Sequence, residues 1–181
     1  GKVTLYWDRS AEDTKDKYMG NITDGADLYD FEGYKIYRAT DFEFNDAYNI
    51  TDGDGNPTFL EPYVQNGVRA QWDLIDGKSG WHPVDLNGIK FYLGDETGLV
   101  HSYVDNNVVN GQRYYYAVVS YDYGGDLTNN IIPSDSPMKL RVNPLTGAVS
   151  LGPNVVEVVP SPPSAGFVDA SFTGDQIDHV A

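Results

Sequence analysis

Residues 114–121, YYYAVVSY, are the most decisive stretch of this sequence for the fold. In an extended chain they alternate between two largely apolar faces, which are Tyr114, Tyr116, Val118 and Ser120 against Tyr115, Ala117, Val119 and Tyr121. Because apolar residues on both faces are typical of a strand that is covered on each side, we predict a central strand here. The Asn110-Gly111 pair just before it is a strong signal for a two-residue turn.

Four shorter stretches also predict strands, and they are residues 2–8, 34–38, 101–104 and 138–142. The first places Val3, Leu5 and Trp7 on one face, which makes Trp7 a candidate core residue. Pro133 and Pro137 precede the last stretch and favour an edge position for it, since proline cannot donate to a neighbouring strand.

Three other segments lack a strong period. Residues 9–19 are a charged run without an apolar face, which predicts a solvated loop. Residues 41–98 are rich in Gly, Asn, Asp and Pro, and we interpret them as an insertion with one or two hairpins. Residues 144–181 are rich in Pro and Ser around one apolar run at 155–159, which predicts a linker followed by one strand.

The composition excludes several classes of function. The formal net charge is −15, from 27 acidic against 12 basic residues, so a nucleic-acid backbone would be repelled. The absence of Cys removes disulfides, thiolate nucleophiles and Cys-ligated zinc. The sequence holds no apolar stretch long enough for a transmembrane helix, so we expect no membrane insertion.

The order of these stretches resembles a fibronectin type III domain. VTLYW, EGYKIYRA, HSYVDNNVVNGQRYYYAVVSYD and SDSPMKLRV look like its strands B, C, E–F and G. Val109-Asn110-Gly111 followed by Tyr114 looks like the tyrosine corner of the family, in which a Tyr hydroxyl bonds to nearby backbone. FEGYKIYRATDFEF, QWDLIDG and YLGDETGLVHSYVD are similar to a module of long bacterial surface and secreted proteins.

The resemblance implies an all-β, immunoglobulin-like antiparallel sandwich over residues 1–143, with a long insertion (41–98) between strands C and E. Residues 144–181 would be a C-terminal extension, either a donor strand or the start of a next domain. It also implies one buried cluster that contains inward-facing residues of three strands, and these are Trp7, Ile36, Tyr114, Tyr116 and Val118.

Two groups of residues are candidate ligand sites. Asp52, Asp54 and Asn56 offer oxygen atoms at alternate positions and Glu61 could complete a calcium shell, although Pro57 and Tyr63 break the EF-hand pattern. The alternative is an ordinary Asp/Gly hairpin turn. The insertion also carries three aromatic residues that would either stack on sugar rings or form a small core of their own, namely Trp72, Trp81 and Tyr92.

The apolar run near the C-terminus is a candidate assembly element. Val155, Val156, Val158 and Val159 lie between Pro153 and Pro160, and the run has the length of one added strand. It would complete a sheet in its own module, link to an adjacent copy as a donor strand, or open the next domain.

The sequence therefore favours a non-catalytic, extracellular structural or adhesive module. The three His residues are scattered, and no nucleophile motif or zinc-spaced His pair is present, so we predict no enzyme. The module would assemble with other protein chains or with copies of itself, at the cell surface or as a subunit of an extracellular filament, with calcium as the one candidate cofactor. The alternative is a carbohydrate-binding accessory module of a secreted multidomain protein that uses the insertion aromatics to bind glycans.

Overall fold

The computed structural model describes residues 1–22, 29–47, 49–128, 130–138 and 140–167, and it confirms an all-β fold built from antiparallel sheets. Strands hold 39% of the chain and helix holds 3%. The elements in chain order are β1 (Val3–Tyr6), α1 (Lys17–Ile22), β2 (Phe31–Ala39), β3 (Asn49–Thr51), β4 (Pro57–Leu60), β5 (Val64–Gln65), β6 (Val68–Arg69), β7 (Gln71–Asp73), β8 (Trp81–Leu86), β9 (Ile89–Tyr92), β10 (Ser102–Asp105), β11 (Tyr114–Asp122), β12 (Leu140–Val142), β13 (Val149–Leu151) and β14 (Val155–Val158).

The main sheet has four strands in the order β14-β11-β2-β7. Its two long central strands pair in antiparallel register, with Val118 opposite Ile36 and Val119 opposite Lys35. Both strands are buried along most of their length on both faces. The prediction that residues 114–121 form a central strand is confirmed, because apolar side chains on both faces need cover on both sides.

One face of the main sheet packs against a two-stranded sheet formed by β1 and β10. Val3 and Leu5 from β1 enter the same apolar cluster as Ile36, Tyr114 and Tyr116, and Trp7 and Val118 pack against its margin. The five residues predicted to share one buried cluster therefore lie together, but Trp7 and Val118 are only partly buried. The alternation in residues 2–8 is confirmed as well, since Val3 and Leu5 are buried while the residues between and after them are exposed.

The outer side of β11 is covered by two separate segments. Near its carboxyl end, Tyr121 forms a bridge with Asp135, and the Ser136 amide donates to the Ser120 carbonyl at 2.7 Å. Near its amino end, β11 pairs with β14, in register from Tyr114 to Ala117. Between the two segments the chain leaves the sheet, and β12 and β13 pair as a separate hairpin.

This arrangement differs from the predicted edge strand at residues 138–142. Leu140–Val142 pairs with β13 and not with β11. Pro137 has no amide hydrogen, so the ladder that Ser136 makes with β11 cannot continue through it. The apolar run predicted to lie beyond a boundary at residue 143 takes the vacant edge instead, and β14 belongs to the main sheet. Residues 168–181 of the predicted extension lie outside the described residues.

The insertion between β2 and β10 is more structured than the sequence indicated. Within the described residues it holds three hairpins, β3–β4, β5–β6 and β8–β9, while β7 joins the edge of the main sheet. Gln71 anchors it, because its side-chain amide donates to the Leu93 carbonyl at 2.8 Å and to the Tyr121 hydroxyl at 3.1 Å. Phe44 and Phe91 cover the outer face of the main sheet, each inside an apolar cluster.

Residues 9–19 were predicted as a solvated loop, and the prediction is wrong at its end. Asp16 caps α1 by accepting hydrogen bonds from the amides of Tyr18 at 2.6 Å and Met19 at 3.1 Å. This turn of helix buries Met19, which is 2% exposed. Within the part of the chain that the structure describes, no helix has the length and apolar character that a membrane span requires.

Candidate functional site

An aromatic groove lies where the insertion meets the two-stranded sheet. Trp72 of β7, Tyr92 of β9 and Tyr103 of β10 line it, and the polar side chains of Arg69 and Asp95 reach its rim. Its volume is about 500 Å³. Three flat rings with charged groups beside them form the kind of concave surface on which small polar ligands with apolar faces bind. We call this cavity the aromatic groove.

Local hydrogen bonds fix the two walls of the aromatic groove. On one side, the Gln65 amide group donates to the Val104 carbonyl at 3.1 Å and accepts from the Asn106 amide at 2.8 Å, which ties the β5–β6 hairpin to β10. On the other side, the buried Asp73 carboxylate accepts from the amides of Glu96 at 2.6 Å and Thr97 at 2.8 Å. These bonds hold the loop that carries Asp95.

Gly94 allows the loop that carries Asp95 to lie close to Asp73. Its φ of 143° lies in the region that favours glycine, and a Cβ atom there would come within 2.3 Å of the Asp73 carboxylate. Any side chain at this position would push the loop away from Asp73.

The three aromatic residues proposed from sequence for glycan binding lie along this one surface. Trp72 and Tyr92 line the aromatic groove, and Trp81 contacts Tyr92 edge-on with ring centroids 4.9 Å apart. Trp81 is 58% exposed, so much of its ring faces solvent. Trp72 does not belong to a separate core of the insertion. The centre of its ring lies 5.8 Å from that of Trp7 and 5.5 Å from that of Tyr103, and all three pack in the cluster between the sheets.

Tyr103 is a groove residue that the sequence reasoning did not select. No described residue forms a hydrogen bond with its buried hydroxyl group. Burial, with a smaller effect of the Asp105 carboxylate, raises the pKa of Tyr103 to about 12, so the phenol stays protonated. Tyr103 was not selected because it lies outside the insertion. The alternation of residues 101–104, which predicts a strand there, was the one sequence signal for it.

Of the four predicted calcium residues, Glu61 lies apart from the other three. Asp52 accepts hydrogen bonds from the amides of Asp54 at 3.0 Å and Asn56 at 2.9 Å, as in an ordinary hairpin turn between β3 and β4. Asn49 pairs with Leu60 at the open end of this hairpin, so Glu61 lies away from the turn. There it binds Arg69 at 2.6 Å.

No group of three or more His, Asp or Glu side chains within the described ranges is arranged to hold a metal ion. The geometry favours the hairpin turn, and calcium binding stays a prediction.

The four valines proposed for assembly divide between core and surface. Val155 is 3% exposed and packs with Tyr115 and Ala117 on the outer face of the main sheet, while Val158 packs on the opposite face. Val156 and Val159 are 43% and 50% exposed. The run therefore completes the sheet of its own chain, which was one of the alternatives left open by the sequence.

Comparison with known proteins adds no relative to this geometry. No family model, curated protein or solved structure matches the chain.

Proposed function

We propose that the chain is a non-catalytic structural module of the fibronectin type III kind, which works outside the cell by assembly with other chains or with copies of itself. The observation that carries this proposal is the strand order. On this proposal we assign the β1–β10 pair to strands B and E of that family, and the order β14-β11-β2-β7 to its strands G, F, C and C′. In this assignment β14, and not residues 138–142, is strand G.

A hydrogen bond at the start of β11 supports the same assignment. The Val109 amide donates to the Tyr114 hydroxyl at 3.0 Å, five residues along the chain, just before β11 begins. A tyrosine that fixes the turn before strand F in this way is the feature expected of a tyrosine corner.

The ionisable groups of the described residues support a structural role over catalysis. His82 is fully buried, and its ring lies between the carbonyl groups of Gly125 at 2.7 Å and Val84 at 3.3 Å. His101 binds Glu12 at 2.5 Å on the surface. In these contacts neither ring faces a Ser or Thr nucleophile. Each histidine instead links two segments of the chain that are distant in sequence. His179 lies outside the described residues.

Two measurements test the structural proposal. Antibodies raised against the chain should label intact cells of the source organism, and light scattering of the purified protein over a range of concentrations should reveal self-association if the partner is a second copy. Labelling that requires lysed cells would contradict an extracellular role. A strict monomer would leave only a different chain as the partner.

Glycan binding in the aromatic groove is the second candidate function. The exposed ring of Trp81, which contacts Tyr92 at the aromatic groove, favours it, since sugar rings bind on flat apolar aromatic faces. Retention on insoluble polysaccharides or on a glycan array should then be lost in Trp81→Ala, with Tyr6→Ala, an exposed aromatic elsewhere, as the matched control. No retention of the wild-type chain on any glycan would exclude this candidate.

A further inference from the structure

Lys35 and Asp135 meet across the main sheet although they are 100 residues apart in the chain. Lys35 lies on β2 opposite Val119, and Asp135 bridges Tyr121 on the other side of β11. Directly paired residues share a face of the sheet, so the Lys35 side chain crosses over β11 to reach Asp135. The Lys35 Nζ atom lies 3.1 Å from Asp135 Oδ1.

The amine end of Lys35 is enclosed by aromatic rings. Its Nζ atom lies 3.6 Å from the centre of the Phe91 ring and 4.5 Å from that of Tyr121, and its side chain is 5% exposed. Burial lowers the pKa of Lys35, which favours the neutral and nucleophilic amine. An amine held in this way is protected from water and faces a single electrophilic group.

Tyr37 orients the carboxyl group from its other oxygen. The Tyr37 hydroxyl donates a hydrogen bond to Asp135 Oδ2, while Lys35 contacts Oδ1. Burial raises the pKa of Tyr37 well above its ordinary value, so the phenol keeps its proton and can pass one to a leaving oxygen. The amine, the carbonyl carbon and the proton donor therefore stand in the order that acyl transfer requires.

We propose that Lys35 and Asp135 condense into an intramolecular amide bond that covalently joins β2 to the segment on the outer side of β11. The Nζ lone pair attacks Cγ of Asp135, and a C–N bond forms as one C–O bond breaks. The leaving oxygen departs as water, with two protons that come from the amine and the carboxyl group through Tyr37. One proton first moves from Nζ to the carboxylate, and the resulting neutral amine and carboxylic acid yield one amide and one water, so the step needs no oxidant, reductant or co-reactant.

The surroundings suit this reaction, and the inference is independent of the proposed function. The Asp135 carboxylate is 24% exposed and opens on a surface cavity of about 510 Å³, through which water can leave. The bond would close a loop that contains the whole insertion, β10 and all of β11. It would also fasten the strand segment that ends at Pro137, where hydrogen bonding to β11 stops.

Mass spectrometry of the intact, denatured chain tests the proposal. The wild-type protein, after folding, should be lighter than its sequence by one water molecule, and a protease digest should contain a branched peptide that joins Lys35 to Asp135. Lys35→Arg and Asp135→Ala should each have the full sequence mass. Asp135→Asn should form the same amide with loss of one ammonia molecule, and Tyr37→Phe should slow the loss in a time course.

Two results would overturn the proposal. The first is a full sequence mass for wild-type protein that circular dichroism shows to be folded. The second is a water loss that maps to a succinimide at an Asp-Gly pair, because Asp24, Asp52, Asp54 and Asp76 each precede a glycine. In either case Lys35 and Asp135 would form a buried ion pair only.

Discussion

The Arg38 guanidinium group donates a hydrogen bond to the Asp105 carboxylate at 2.9 Å, and this pair joins the main sheet to the two-stranded sheet. Asp105 is fully buried and also accepts hydrogen bonds from the Tyr116 hydroxyl at 2.8 Å and the Asn107 amide at 2.8 Å. The Arg38 group lies over the Tyr63 ring, 3.9 Å from its centre. Two strands of the main sheet, β2 and β11, therefore converge on one buried carboxylate of β10.

Replacement of Asp105 should be among the most destabilising single changes. Asp105→Ala leaves the Arg38 charge and the Tyr116 hydroxyl without their shared acceptor, so we expect a loss of about 3–5 kcal/mol in the free energy of unfolding. Urea denaturation followed by circular dichroism measures it. Asp13→Ala, at an exposed position, is the control and should change stability by less than about 0.5 kcal/mol. Equal effects of the two changes would show that Asp105 does not join the sheets.

The two faces of β11 can be tested separately. Val118 packs at the margin of the cluster between the sheets, and Val119 is buried in the outer cluster. We expect Val118→Ala and Val119→Ala each to cost about 1–3 kcal/mol through lost burial and a new cavity. Val68→Ala, at a residue that is 70% exposed, serves as the control for chemical denaturation. If either substitution changed the free energy of unfolding by less than about 0.5 kcal/mol, the face of β11 that carries that valine would be exposed to solvent.

Local periodicity was enough to predict the central part of the fold. Val3, Leu5 and Ile36 lie where their alternation placed them, because a half-buried strand repeats every two residues whatever its partner. Strand pairing was harder to predict. Nothing in their length or apolar content decides between residues 138–142 and 155–158 as the partner of β11, since both are short and mostly apolar. The choice depends on where Pro137 interrupts the ladder.

The candidate site was predictable only in part. Trp72, Trp81 and Tyr92 were identifiable as large aromatics in an insertion, whereas Tyr103 and Asp105 join their neighbours through contacts distant in sequence. The Lys35–Asp135 contact spans 100 residues and gives no local signal. The calcium pattern was local but ambiguous, because Asp, Gly and Asn at this spacing also form hairpin turns.

Glu32 should make stability depend on pH. Its side chain is fully buried, and neither carboxylate oxygen has a hydrogen-bond partner among the described residues. Burial, with a smaller contribution from the Asp76 carboxylate, raises the pKa of Glu32 to about 8 from an ordinary 4.5. Between these two values the folded state holds a proton that the unfolded state releases, so the free energy of unfolding falls as pH rises.

Glu32→Gln should remove this dependence, because the amide does not ionise. We expect the stability of Glu32→Gln relative to wild type to increase between about pH 4.5 and pH 8, by up to about 1.4 kcal/mol per pH unit. Urea titrations at several pH values measure it, with the exposed Glu43→Gln as the control. A constant difference between Glu32→Gln and wild type over this range would show that Glu32 is ionised in the folded state.

The β3–β4 turn should not respond to calcium. Asp52 accepts hydrogen bonds from donors within the turn, and Glu61 pairs with Arg69, so Glu61 is not placed to complete a shell with Asp52. We expect the melting temperature to be the same with added calcium and with chelator. A rise with calcium that disappears in Asp52→Asn would restore the calcium site that the sequence suggested.

Nuclear Overhauser effects between β11 and β14 test the proposed strand order most directly. In uniformly labelled protein, backbone protons of Tyr116 and Val156 should give cross-peaks, because these residues are paired in the register of the sheet. The cross-peaks should be absent from a filtered spectrum of mixed labelled and unlabelled chains, since both strands belong to one molecule. Cross-peaks from β11 to residues 140–142, or Tyr116–Val156 cross-peaks that survive the filter, would contradict a sheet completed by β14 of the same chain.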